Sequence, residues 1–119
     1  MSVVIYAFDV DDTLEVSGGP VQLAELMVLH RAGHVLGLCG NWAVVTALVL
    51  DWHRLFSFIG PMEMSKASFL AQVKRYCRAE DYVMVGNDPR VFGNSPDREA
   101  AEQAGWRFLR EAEFAAGGR

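Results

Sequence analysis

Apolar residues in this chain come as short unbroken blocks separated by stretches of helical spacing, and the two alternate along its length. Val3 to Phe8 (VVIYAF) is an apolar run rich in β-branched and aromatic residues, the pattern of a strand buried on both faces. His34 to Cys39 (HVLGLC), Phe56 to Ile59, Tyr82 to Val85 (YVMV) and Trp106 to Leu109 read as further strands. Between them, Pro20 takes the first position of a helix running to about Arg31, with Gly33 as its left-handed stop. Gly40 and Asn41 lead into a helix whose Val44, Val45, Leu48, Val49 and Trp52 share one face. Ser65 caps a helix from Lys66 to about Arg78, with Phe69, Leu70, Val73, Tyr76 and Cys77 turned inward and Lys74 outward. Ser95-Pro96-Asp97 opens another helix, which Gly105 closes, and Arg110 to Arg119 forms a short last one. This alternation predicts an α/β fold: a three-layer sandwich around a parallel, Rossmann-like five-stranded sheet.

With 119 residues and neither repeat nor evident linker, residues 1–119 read as a single domain. Eleven basic against fifteen acidic side chains give a formal charge of −4, which argues against bulk adhesion to nucleic acid or anionic lipid. Cys39 and Cys77 are too few for a disulfide framework. The first residues lack the basic segment of a secretory signal, and no apolar run reaches bilayer length. The expectation is a cytoplasmic protein without a membrane partner.

The unusual polar clusters all fall at predicted carboxyl ends of strands: Asp9-Asp11-Asp12, Gly40-Asn41 and Asn87-Asp88. In a parallel sheet that is where the ligand crevice lies. Three carboxylates within four positions after a buried strand repel one another by several kcal/mol unless a cation or proton intervenes. Mg²⁺, a hard ion that takes oxygen ligands and substrate phosphate oxygens, is the simplest resident. Asp9 and Asp11 share a face of an extended strand, and a kink after Asp9 turns one to the metal and the other to the substrate. Lys66 stands at a helix start, where a cation is locally unfavourable, so its presence there favours an anionic neighbour.

Phe8-Asp9-Val10-Asp11-Asp12-Thr13-Leu14 resembles the first motif of the haloacid dehalogenase-like (HAD) phosphohydrolases, and three further motifs follow in order across nearly the whole chain. The resemblance implies that Asp9 is a nucleophile carrying an aspartyl-phosphate and that Asp11 is the general acid and base. It implies that the Asp9 side chain and the Asp11 carbonyl hold Mg²⁺, and that Thr13 fixes the loop between them. Cys39 occupies the place of the family's phosphate-binding hydroxyl. A thiol is a poor donor, so the N–H groups of Gly40 and Asn41 share that task, unless Cys39 is simply a small buried residue. Lys66 matches the lysine that neutralises the phosphoryl group and the aspartates. In the last motif Asn87 stands where the family has its first acid, with Asp88 one place later; either is the remaining metal ligand. Asp97 orients Lys66 or a metal-bound water.

Between Asp9 and Cys39, and between Cys39 and Lys66, there is no room for a cap domain. The expected substrate is therefore phosphorylated and either macromolecular or small, with closure of the site by another subunit of a homo-oligomer in the second case. A nucleic-acid end is disfavoured by the acidic charge. Trp42 is placed to stack on a substrate ring, or to pack. His30, His34 and His53 have no metal-ligand spacing. Two other readings compete with the enzyme. A receiver-type phospho-acceptor needs an Asp ending its third strand and a Lys after its fifth, where this chain has Gly60 and Arg110. A non-catalytic descendant that keeps the fold for binding would account for Cys39 and Asn87.

Overall fold

The computed structural model describes residues 2–87 and 96–119. Its strands are β1 (Val4–Phe8), β2 (Val35–Cys39), β3 (Phe58–Gly60), β4 (Asp81–Gly86) and β5 (Arg107–Arg110). All pair in parallel, in the order β3-β2-β1-β4-β5. The helices are α1 (Leu23–Arg31), α2 (Trp42–Leu48), α3 (Trp52–Leu55), α4 (Lys66–Tyr76), α5 (Pro96–Ala104) and α6 (Glu111–Ala115). β1 is central, and Phe8 is paired with both Leu38 and Val85, so β1, β2 and β4 end level with one another. The predicted three-layer α/β sandwich is the observed architecture. Among the described residues no helix is long and apolar enough to cross a membrane.

Strand alternation sorts the core into two clusters. Tyr6, Phe8, Leu36 and Leu38 pack with Leu26 and Leu29 of α1, Val45 of α2 and Phe114 of α6. Ile5, Ala7, Cys39 and Met84 face Leu70 and Val73 of α4 and Ala101 of α5. Phe114 stands edge-on to Phe8 at 5.3 Å and to Tyr6 at 6.0 Å. Burying such a ring stabilises the fold by roughly 2–3 kcal/mol, which is what holds the five-residue α6 in place. Trp106 is buried in the other layer, its indole N–H donating to the Leu70 carbonyl at 2.9 Å. Gly33 and Gly105 take φ of +94° and +78° just after α1 and α5, the left-handed stops expected of them.

Four local expectations are corrected. The helix expected to begin at Pro20 begins at Leu23, because Val21 is held extended against Leu14 and the Glu15 side chain accepts the Leu23 N–H at 3.0 Å. The single helix expected through Trp52 breaks at Val49, which is extended, into α2 and α3. Val44, Val45, Thr46 and Val49 are β-branched and support a helix weakly, and the break leaves Leu48 exposed. The third strand lies two residues later than expected at its start, with Phe56 buried ahead of it. Tyr76 and Cys77 are exposed rather than inward. Tyr82 takes their place, its hydroxyl donating to the Cys77 carbonyl at 2.6 Å and accepting from the Ala79 N–H at 3.1 Å.

Candidate active site

The alternation that turns Ile5 and Ala7 toward α4 and α5 continues one step past β1 and carries Asp9 to the same side. Its N–H still donates to the Val85 carbonyl at 2.8 Å, so the acid is held by one more rung of the sheet. The chain then turns sharply. The Val10 carbonyl accepts from both Thr13 and Leu14, and Asp12 sits at φ +57°, a left-handed conformation that Asp tolerates better than most residues.

Asp9 is 8 % exposed. Lys66, on the first turn of α4, reaches it at 3.1 Å (Nζ to Oδ1) and reaches Asp97 Oδ1, on the first turn of α5, at 2.7 Å. The Ser65 side chain caps α4 by accepting the Ser68 N–H, so the cation at this helix start is compensated by two carboxylates from outside it. Burial, reinforced by the charge of Asp97, pushes the Asp9 carboxyl up to about 6, with Lys66 acting in the opposite direction. Burial also disfavours the Lys66 ammonium, but Asp97 and Asp9 outweigh it and hold the amine above its ordinary value.

Two glycines make this approach possible. A Cβ on Gly40 would fall 2.4 Å from Asp9 Oδ1, and one on Gly86 would fall 2.6 Å from Asp97 Oδ2. Any side chain at either position would have to displace a carboxylate. Asn41, next to Gly40, donates from its amide to Asp11 Oδ1 at 3.4 Å. The Gly40-Asn41 dipeptide thus lies against both acids, the buried Asp9 and the exposed Asp11.

Other expected site residues are placed differently. Cys39 is fully buried in the α4 and α5 layer, and burial pushes its thiol up to about 12, with Lys66 opposing. It is neutral and offers no surface to a ligand, as expected of a small core residue and not of a phosphate donor. The Gly40 N–H is taken by the Gly60 carbonyl at 2.9 Å, since β3 pairs with β2 there. It is therefore not a ligand donor, and Asn41 keeps the N–H without a backbone partner among the described residues. Thr13 is completely buried, and its backbone binds Val10 and Val21, which secures the loop rather than contacting a substrate. Asn87 follows directly on β4, one residue beyond Gly86, which the β1–β4 register sets level with Asp9. Asp88 and the Ser95 cap lie outside the described residues. Trp42 packs against the core on the other side of the sheet.

Among the described residues no three His, Cys, Asp or Glu side chains gather as a metal site. Mg²⁺ does not require that, since one or two carboxylates with neutral oxygens, waters and substrate phosphate suffice. The donors here suit it: the Asp9 side chain, the Asp11 carbonyl and the Asn87 amide are all hard oxygens. The Asp9 carboxyl is raised because burial and Asp97 outweigh Lys66, the cation bonded to it among the described residues. The sequence places Gly86 at the head of the last motif, before Asn87, but does not show its packing role, which is to let Asp97 of α5 pass close over β4. Comparison with protein-family models, curated proteins and solved structures returns no match.

Proposed function

We propose that this chain is a capless, Mg²⁺-dependent phosphohydrolase of the HAD type, acting on a phosphomonoester through Asp9. The observation that carries the reading is the Asp9–Lys66–Asp97 bridge at the carboxyl end of the central strand. A nucleophilic carboxylate needs a nearby cation to bring in a phosphoryl dianion, and Lys66 is held charged where it serves that purpose. Lys66 engages Oδ1 of Asp9, and we assign Oδ2 as the nucleophilic oxygen. That oxygen attacks phosphorus, and the bond from phosphorus to the leaving oxygen breaks as Asp11 donates its proton to that oxygen. In the second half water attacks phosphorus and gives a proton to Asp11. The bond to Asp9 then breaks, releasing inorganic phosphate and restoring both acids. Asn41 holds the exposed Asp11 at the mouth by its amide hydrogen bond. Asp9, the Asp11 carbonyl and Asn87 are the residues that would hold Mg²⁺, which when bound supplies charge stabilisation to the phosphoryl oxygens.

Only the 3-10 turn Glu15–Ser17 and α1 separate Asp9 from β2, and only α2, α3 and β3 separate β2 from Lys66. This supports a site open to a phosphorylated macromolecule, or to a small phosphate ester covered by another subunit. The test is hydrolysis of p-nitrophenyl phosphate with and without Mg²⁺ by the wild type, Asp9→Asn and Asp11→Asn. Metal-dependent turnover that falls at least about 100-fold in both variants supports the reading. Equal rates in the three preparations, or none on any phosphate ester, would refute it and favour a fold kept for binding.

A further inference from the structure

We infer that the open groove between α1 and α3 is a self-association face that seats a second copy of this chain. The groove has a volume of about 650 Å³, and its walls include Met27, Leu48 and Leu50 together with the charged Arg31, Asp51 and Arg54. It lies on the helix layer opposite α4 and α5, away from Lys66 and Asp97. Among the described residues, four of the seven large apolar side chains left exposed, Met27, Val28, Leu48 and Leu50, belong to α1 or to the α2–α3 break, and Leu50 is 89 % exposed. An apolar patch rimmed by charges marks an interaction surface.

The charges at the rim identify the occupant. Asp51 and Arg54 are neighbours across one turn and both exposed, and neither side chain has a hydrogen bond or ion pair among the described residues. A two-fold contact sets one patch against its own image, so residue i of one copy meets j of the other and j meets i. An adjacent acid and base, both unpaired, suit that arrangement: Asp51 of each copy meets Arg54 of the other. Arg31 ends α1, while Glu15 caps its start, and antiparallel apposition of the two α1 helices brings those opposite charges together as well. The charged side chains of the groove, Arg31, Asp51 and Arg54, sum to +1 in a chain of charge −4, so the face carries none of the acidic excess. Two copies therefore meet at this face without the repulsion the net charge otherwise imposes. A partner of one sign would leave either Asp51 or Arg54 facing its like.

Sedimentation velocity of the full chain from about 1 to about 100 µM tests the inference. The wild type dimerises as concentration rises, and Leu50→Asp weakens association at least about tenfold. Asp51→Arg and Arg54→Asp each weaken it by a similar factor, because like charges then face each other, and the double variant Asp51→Arg/Arg54→Asp returns to within a few-fold of wild type. Circular dichroism melts establish that each variant is folded; should Leu50→Asp fail that check, the charge-reversal set decides alone. A wild type that stays monomeric throughout overturns the inference, even if its groove takes up an apolar dye, since the face would then belong to another kind of partner. A dimer that none of the variants weakens, or a double variant as weak as the singles, overturns it too.

Discussion

Replacing Lys66 by Met removes the only described cation bonded to Asp9 and leaves two acids facing each other across the space its ammonium filled. The two Oδ1 atoms are no further apart than the 3.1 and 2.7 Å bonds laid end to end. At about 6 Å and an effective dielectric near 20, two unit charges repel by about 3 kcal/mol. The side chains of Asp9 and Asp97 are only 12 % and 7 % exposed, so water screens them little. In metal-free buffer at pH 7, Lys66→Met should lose roughly 2–4 kcal/mol in urea unfolding, or about 10 °C in melting temperature. The loss should shrink on going to pH 5. Asp9 is already raised to about 6 with Lys66 present, and removing the cation raises it further. The folded variant then binds a proton that the unfolded chain, with an ordinary carboxyl near 4, does not. Stability relative to wild type therefore recovers as pH falls and the proton takes over the cation's role. Lys66→Met/Asp97→Asn should regain at least half of the loss at pH 7. A single variant within about 0.5 kcal/mol of wild type at pH 7, or a double variant no better than the single, would refute the geometry described.

Gly40→Ala places a methyl 2.4 Å from Asp9 Oδ1; turnover of p-nitrophenyl phosphate should fall more than about tenfold while the chain stays folded by circular dichroism. Tyr82→Phe leaves the Ala79 N–H and the Cys77 carbonyl without their partner and should cost about 1–2 kcal/mol in urea unfolding. The hydrogen bonds from Arg107 hold the Asp81 carboxyl below its ordinary value, against a smaller effect of burial. That pair stabilises the fold above the ordinary carboxylate range and stops doing so as pH falls through the lowered value. Asp81→Asn should therefore lower stability at pH 7 by no more than about 0.5 kcal/mol, because both side chains are solvent-screened, and the difference should vanish in acid unfolding curves.

The sheet was legible because its strands are short apolar runs ended by glycine or polar residues, and the same alternation predicts the side on which Asp9 emerges. Lys66 was legible for a physical reason: a cation at a helix start needs an external acid, and it has two. The break at Val49 was not legible, since Val49, Leu50 and Trp52 continue an apolar stripe that reads equally as a longer helix. The exposure of Tyr76 and Cys77 was not legible either, because it depends on Tyr82 arriving from a different strand. These failures share an origin in tertiary competition for a position that periodicity alone assigns to one residue. The first of them exposed Leu48 and opened the groove beside α3.

β1 is flanked by paired strands on both sides, while β3 and β5, of three and four residues, form the sheet's two margins. Asp9 thus extends the rib that thermal fraying reaches last. Loosening at either margin leaves the carboxylate aimed as before, and the chain should lose that aim only when the whole structure melts.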